Sequence, residues 1–200
     1  CKSKSSPHIT NCIITTNRAL NGSGILCHNS SDPTVINCLI VNNRAQIGGG
    51  GVLCDVNSSP TFINCTVVGN QAEKGGGVYS QNNSSPTVIN TIFWADSPQE
   101  IYFGIGRPST ISISYSDVQG GEAGIVTNDN GVVNWGDGNI RTSSVIPDSD
   151  PLFVDTINGD YHLLDDSLCI GMGTVVDVSN DIEGNVRGIP PDIGAYENAL

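Results

Sequence analysis

Arg18 and Arg44 occupy the same place in successive copies of a repeat; the third copy has Gln71 there, with Lys74 close by. Such a cationic strip could neutralise a sugar carboxylate or remove a proton beside it, or it could be solvated turn residues. A second group, Asp177, Asp181, Glu183 and Asp192, lies among Asn180, Asn185 and glycines. Hard oxygen ligands on a glycine-containing loop suit a structural Ca²⁺ ion, although no EF-hand spacing is present. Paired carboxylates for glycoside hydrolysis are harder to find. Asp32, Asp55 and Asp96 fall at turns with no shared strand column, and His8, His28 and His162 are scattered. Seven cysteines complete the inventory. None has the spacing of a zinc site, and inward-facing Cys is a small core residue in its own right. Free core thiols and one or two bridges between neighbouring repeats both remain open.

These residues are positioned by the repeat. Asp32-Pro-Thr-Val-Ile-Asn-Cys, Ser59-Pro-Thr-Phe-Ile-Asn-Cys and Ser85-Pro-Thr-Val-Ile-Asn-Thr are nearly superimposable, with a looser copy from Ser6. A turn column reads Asn11, Asn37, Asn64, Asn90, and a second polar column reads Asn17, Asn43, Asn70, Asp96. A fixed period of about 26 residues marks a solenoid. Each unit carries three short apolar runs with period-two alternation, such as Thr34-Val-Ile, Cys38-Leu-Ile-Val and Gly51-Val-Leu-Cys, bounded by Gly, Asn, Ser or Pro. Three strands per coil without helices make an all-β, right-handed parallel β-helix, with equivalent strands about 4.8 Å apart. Val35, Cys38, Ile40, Val52 and Cys54 then point into the bore. Asn at the tight bend tolerates left-handed backbone and can bond its counterpart in the next coil.

The alternation leaves Leu26, Leu53 and Tyr79 outside the third strand as an apolar stripe for a glycan, a partner protein or another part of the chain. Residues 1–120 read as repeats. Residues 121–200 read as irregular final coils and a C-terminal cap over the last hydrophobic cross-section, since terminal repeats must differ. The first coil has no partner on its outer side in this chain, so its strand edges could also join copies end to end. A net charge of −12 argues against nucleic acid and anionic membranes, and no apolar run approaches a membrane span.

The Ser-Pro-Thr-(Val/Phe)-Ile-Asn-Cys unit with its Asn-x-Ala and Gly-Gly-Gly-Val segments resembles the right-handed parallel β-helix repeat of bacterial surface and secreted proteins. Phe62 to Val78 is similar to the repeats of polymorphic outer-membrane proteins, with Phe62-Ile-Asn in place of that family's spacing. The block from Gly138-Asn-Ile through Pro191-Asp-Ile-Gly-Ala-Tyr-Glu resembles the C-terminal part of surface-anchored β-helix proteins. The resemblance implies an extracellular or cell-surface setting and no common reaction. The expectation is therefore a structural or binding module for glycan or protein, without catalysis of its own. A polysaccharide lyase or hydrolase of this fold, with Arg18, Arg44 and Lys74 as its basic residues, is the alternative, and a self-assembling module is a further one.

Overall fold

The computed structural model describes residues 1–140 and 150–198. Of the stretch expected to form the cap, 141–149 and 199–200 lie outside the described residues.

Three parallel sheets run the length of a solenoid. The first is six-stranded: His8–Thr10, Thr34–Ile36, Thr61–Ile63, Thr87–Ile89, Ser109–Ser114 and Gly131–Trp135. The second has five strands, Ile13–Thr15, Leu39–Val41, Thr66–Val68, Ile92–Trp94 and Asp117–Val118. The third has four, Ile25–His28, Val52–Asp55, Val78–Ser80 and Ile101–Phe103. Every strand pairs in register with its equivalent one coil away, as in Val35↔Phe62 and Phe62↔Val88. A short extra pairing, Arg18–Asn21 with Arg44–Gly48, lies at the bend between the second and third sheets of the first two coils.

Inward positions stack into one core. Phe62, Phe93 and Phe103 are fully buried among Val35, Ile40, Val52, Val67, Ile101 and Ile111. Cys27, Cys38, Cys54 and Cys65 join this core with Cys12 packed against it, and all seven cysteines are free. The turn asparagines Asn11, Asn37, Asn64 and Asn90 hold φ near +50°, and their amides link coil to coil: Asn37 to Asn11 at 3.1 Å, Asn64 to Asn37 at 3.3 Å and Asn90 to Asn64 at 2.9 Å. Proline enters each coil where no donor is needed; the Pro33 and Pro60 carbonyls accept from Thr61 and Thr87.

The final segment is placed differently from expectation. Its described residues lie along the outside of the second sheet and not across the end of the bore. An antiparallel hairpin, Phe153–Asp155 with Asp160–Leu163, and the loops after it cover Leu39, Val41, Val68 and Ile92 with Tyr161, Leu163, Cys169 and Ile193. The second-sheet strands are apolar on both faces, so they need cover outside as well as in. The segment is fastened to the turn ladder by Thr174 at Asn90 and by Asn180 and Arg187 at Asn37.

Candidate functional site

The extra pairing aligns Arg18 with Arg44, and isolated bridges carry the column on through Gln71 to Ser97. Their main chain is fixed from beneath: Arg44, Gln71 and Ser97 donate to the carbonyls of Asn17, Asn43 and Asn70. The side chains are left exposed. Two hollows lie along the column, one of about 220 Å³ beside Arg18, Asn42 and Gly69, the other of about 370 Å³ beside Gln46, Glu73 and Ser97. Arg44 and Gln71 line both, so the two hollows adjoin along the arginine column and are together called the groove. Among the described residues neither arginine takes part in an ion pair. Two guanidinium groups one coil apart, with no carboxylate between them, leave planar donors free for carboxylate, sulfate or sugar hydroxyls. Lys74 does not join them. It bridges Gly48, at the other end of the strand that begins at Arg44, and lines neither hollow.

The apolar stripe is present but closed. Leu53 is 4% exposed and Tyr79 9%, with Leu26 half-buried. Glycine turns lie directly on it: a Cβ on Gly48 would come within 2.3 Å of the Tyr79 ring, and one on Gly49 within 2.8 Å of Leu53 Cβ. Gly22 packs likewise against Leu26 and Leu53. The alternation places these side chains outside the sheet correctly; backbone without side chains then folds over them, which removes the expected docking stripe.

The four C-terminal acids do not converge. Asp181 is fully buried and accepts from the backbone amides of Glu183, Asn185 and Glu197 at 2.8–3.0 Å. Those bonds hold its pKa below the usual range against the opposing effect of burial. Asp192 accepts from Gly171 and Asn198, both at 2.7 Å. Glu183 reaches the His162 ring at 3.1 Å, and Asp177 is exposed. They organise loops, and among the described residues no group of three or more His, Cys, Asp or Glu is placed to hold a metal ion.

Two acids that the sequence did not pair are brought together at the bend. Asp96, the fourth rung of the inner polar column, donates its backbone N–H to Glu100 Oε1 at 3.0 Å. Both are buried. Burial pushes Glu100 up to about 7 and Asp96 well above the carboxylate range, with the neighbouring carboxyl adding to the effect on Asp96. Their free oxygens are shut off from solvent, so a substrate in the groove does not reach them. The thiols are shut off as well. A hydrogen bond from Cys65 brings Cys38 down to about 7, yet both lie fully buried in the bore. A further hollow of about 620 Å³ opens at the last coil beside Glu122, Trp135, Asp137 and Asn139.

The family model described as the right-handed beta helix region matches residues 1–145. No curated protein matches the chain, and no solved structure does.

Proposed function

The chain belongs to the right-handed β-helix family, and from that premise we propose that it is a binding module that presents one side of a rigid rod to a glycan or protein at an extracellular surface. The observation that carries this reading is the Arg18–Arg44–Gln71 groove: unpaired planar cations on a fixed backbone, with Glu73 as the one carboxylate among its described lining residues. A single carboxylate cannot divide the acid and base roles of glycoside hydrolysis. The setting follows the resemblance of the repeat to bacterial surface and secreted β-helix proteins. No helix among the described residues is long and apolar enough to cross a membrane.

The stacked arginines favour one other reading, elimination on an acidic polysaccharide. A glycan-array screen with and without Ca²⁺, with the same sugars assayed for unsaturated and reducing-end products, separates the two. Retention of acidic glycans without products, lost in an Arg18→Ala/Arg44→Ala variant, supports the binding module. Product formation overturns it in favour of the enzyme, and absence of retention on any glycan removes the glycan partner. Self-association end to end, through strand edges that carry unpaired backbone groups, is the remaining reading. Light scattering over a concentration series tests it: growth of mass with concentration supports stacking, and constant mass excludes it.

A further inference from the structure

The inner polar ladder changes chemistry at its fourth rung. Asn43 works in both directions: its Oδ1 accepts from the backbone N–H and Nδ2 of Asn17, at 3.1 and 2.9 Å, and its Nδ2 donates to the Ile14 carbonyl and to Asn70 Oδ1, at 2.9 and 3.0 Å. Asn70 repeats the pattern, accepting from Asn43 and donating to the Ile40 carbonyl at 2.9 Å and to Asp96 Oδ1 at 2.8 Å. Asp96 supplies only the acceptor half. Its Oδ1 takes both bonds from Asn70, the backbone one at 2.6 Å.

Asp96 Oδ2 stands where the rungs above hold an amide nitrogen. Gly51 sits beside Asn70 Nδ2 and Gly24 beside Asn43 Nδ2; Gly77, their counterpart, sits beside Asp96 Oδ2. The strand register puts Val67 in the column of Ile14 and Ile40, whose carbonyls receive those amides. An ionised Oδ2 there presents a second acceptor where the column calls for a donor; a protonated one restores the donor. Below, Glu100 closes the ladder by accepting from the Asp96 N–H, as the next rung's Oδ1 does above. Asp96 Oδ2 and Glu100 Oε2 are both buried with no partner, and two buried carboxylates this close cannot both ionise cheaply.

We propose that Asp96 and Glu100 hold one proton between them in the folded protein, making the foot of this ladder a proton-binding site that ties the bend at 95–100 to external pH. The groups facing it add no positive charge. Asp117, buried in the last strand of the second sheet, acts electrostatically to raise Glu100 further. From the covering hairpin, Tyr161 faces Asp96 and is itself raised, chiefly by burial. Among the described residues no cation pairs with Asp96 or Glu100.

The sign follows from folded-state pKa values above those of the unfolded chain, where carboxyls titrate near 4. The folded protein keeps a proton that the unfolded chain has released, so this contribution is complete below about pH 4. The share of Glu100 is lost as pH rises through about 7, where it titrates, and that of Asp96 as pH rises through its own raised folded value. Ser97, next to Asp96, lines the groove, so the site lies under the groove's wall; a pH effect on binding would rest on the proposed function, whereas the test below does not.

The test is urea unfolding from pH 5 to pH 8.5 on the wild-type chain, Asp96→Asn and Asp96→Asn/Glu100→Gln. Net negative charge alone favours acid for all three, so the difference between curves decides. The unfolding constant of the wild type should rise about tenfold more per pH unit than that of Asp96→Asn between pH 5 and 7, the signature of one proton. The double variant should be flatter still. Parallel curves overturn the proposal. Should the variants fail to fold, ¹³C-carboxyl NMR of the wild type decides: a protonated Asp96 or Glu100 signal at pH 6 supports the site, and titration of both below pH 5 overturns it.

Discussion

Arg187 Nη2 donates to Asn37 Oδ1 at 3.1 Å across 150 residues of sequence. This joins the C-terminal segment to the turn ladder of the solenoid. The same guanidinium bonds the carbonyls of Gly194 and Ala195 and pairs with the buried Glu197 at 3.1 Å. A buried ion pair is costly to break by halves, because the survivor is left charged and without a partner. Arg187→Ala should cost about 3–5 kcal/mol, and replacing Arg187 and Glu197 together with apolar residues should cost less. Urea denaturation of the two variants checks the order.

The side chain of Asn70 makes four ladder bonds while fully buried. Asn70→Ala leaves the Asn43 backbone N–H without its acceptor, takes one of two acceptors from Asn43 Nδ2 and removes the amide donor to the Ile40 carbonyl and Asp96, and about 2–4 kcal/mol of stability should be lost. Asn17→Ala, at the exposed end of the ladder, should cost under about 1 kcal/mol. Thermal unfolding of both, set against the wild type, measures the gradient down the column.

Gly48 is fixed by contact. Its missing Cβ leaves room for the Tyr79 ring, which a methyl group would approach to 2.3 Å. Gly48→Ala should destabilise by about 1–3 kcal/mol through forced movement of the ring. Tyr79→Leu in the same background should recover part of that loss, and a double-mutant cycle reads the coupling.

The arginine pair should behave in the opposite way. Arg18 and Arg44 are exposed and unpaired among the described residues, so Arg18→Ala/Arg44→Ala should leave the unfolding midpoint within about 0.5 kcal/mol of wild type. Retention of an acidic glycan should fall tenfold or more. It should also weaken as salt rises, because exposed charges are screened. Loss of stability in this variant would show that the column is structural.

His162 sits between Asp160 Oδ1 at 2.7 Å and Glu183 Oε2 at 3.1 Å, with the tilted Tyr196 ring 4.1 Å away between centroids. Burial pulls its pKa down, but the two carboxylates outweigh it and the net shift is upward. Its contribution is therefore complete below the ordinary value near 6.5 and lost as pH rises through the higher folded value. An NMR titration should place the His162 midpoint above the ordinary imidazole value, and Glu183→Gln should lower it.

Much of the solenoid is legible in the sequence because a fixed period aligns equivalent residues by count alone. The Asn11–Asn90 column, the inward set from Val35 to Cys54 and the pairing of Arg18 with Arg44 all follow from it. Alternation tells which face a side chain takes, but not what lies on it. Leu53 and Tyr79 therefore read as outward residues, with no sign that glycine turns close over them. The cover on the second sheet leaves a trace in Leu39-Ile-Val, Thr66-Val-Val and Ile92-Phe-Trp, runs apolar on both faces. The covering segment itself has no period by which to place it. Asp96 is visible as a departure in an asparagine column; Glu100 is not, because a bend and not a strand carries it back. The C-terminal acids look like a ligand set because spacing cannot show that Asp181 and Asp192 already bind backbone amides.

The segment fastened at Asn90 and Asn37 also changes how the rod should come apart. A stack of coils ordinarily unzips from either end, each coil held by its neighbours alone. Here a brace grips the second and the fourth coil at once, through the Asn180 and Thr174 bonds, and adds an interaction beyond nearest neighbours. The second, third and fourth coils must therefore yield together, and pulled along its axis the molecule should lose those three in one large extension.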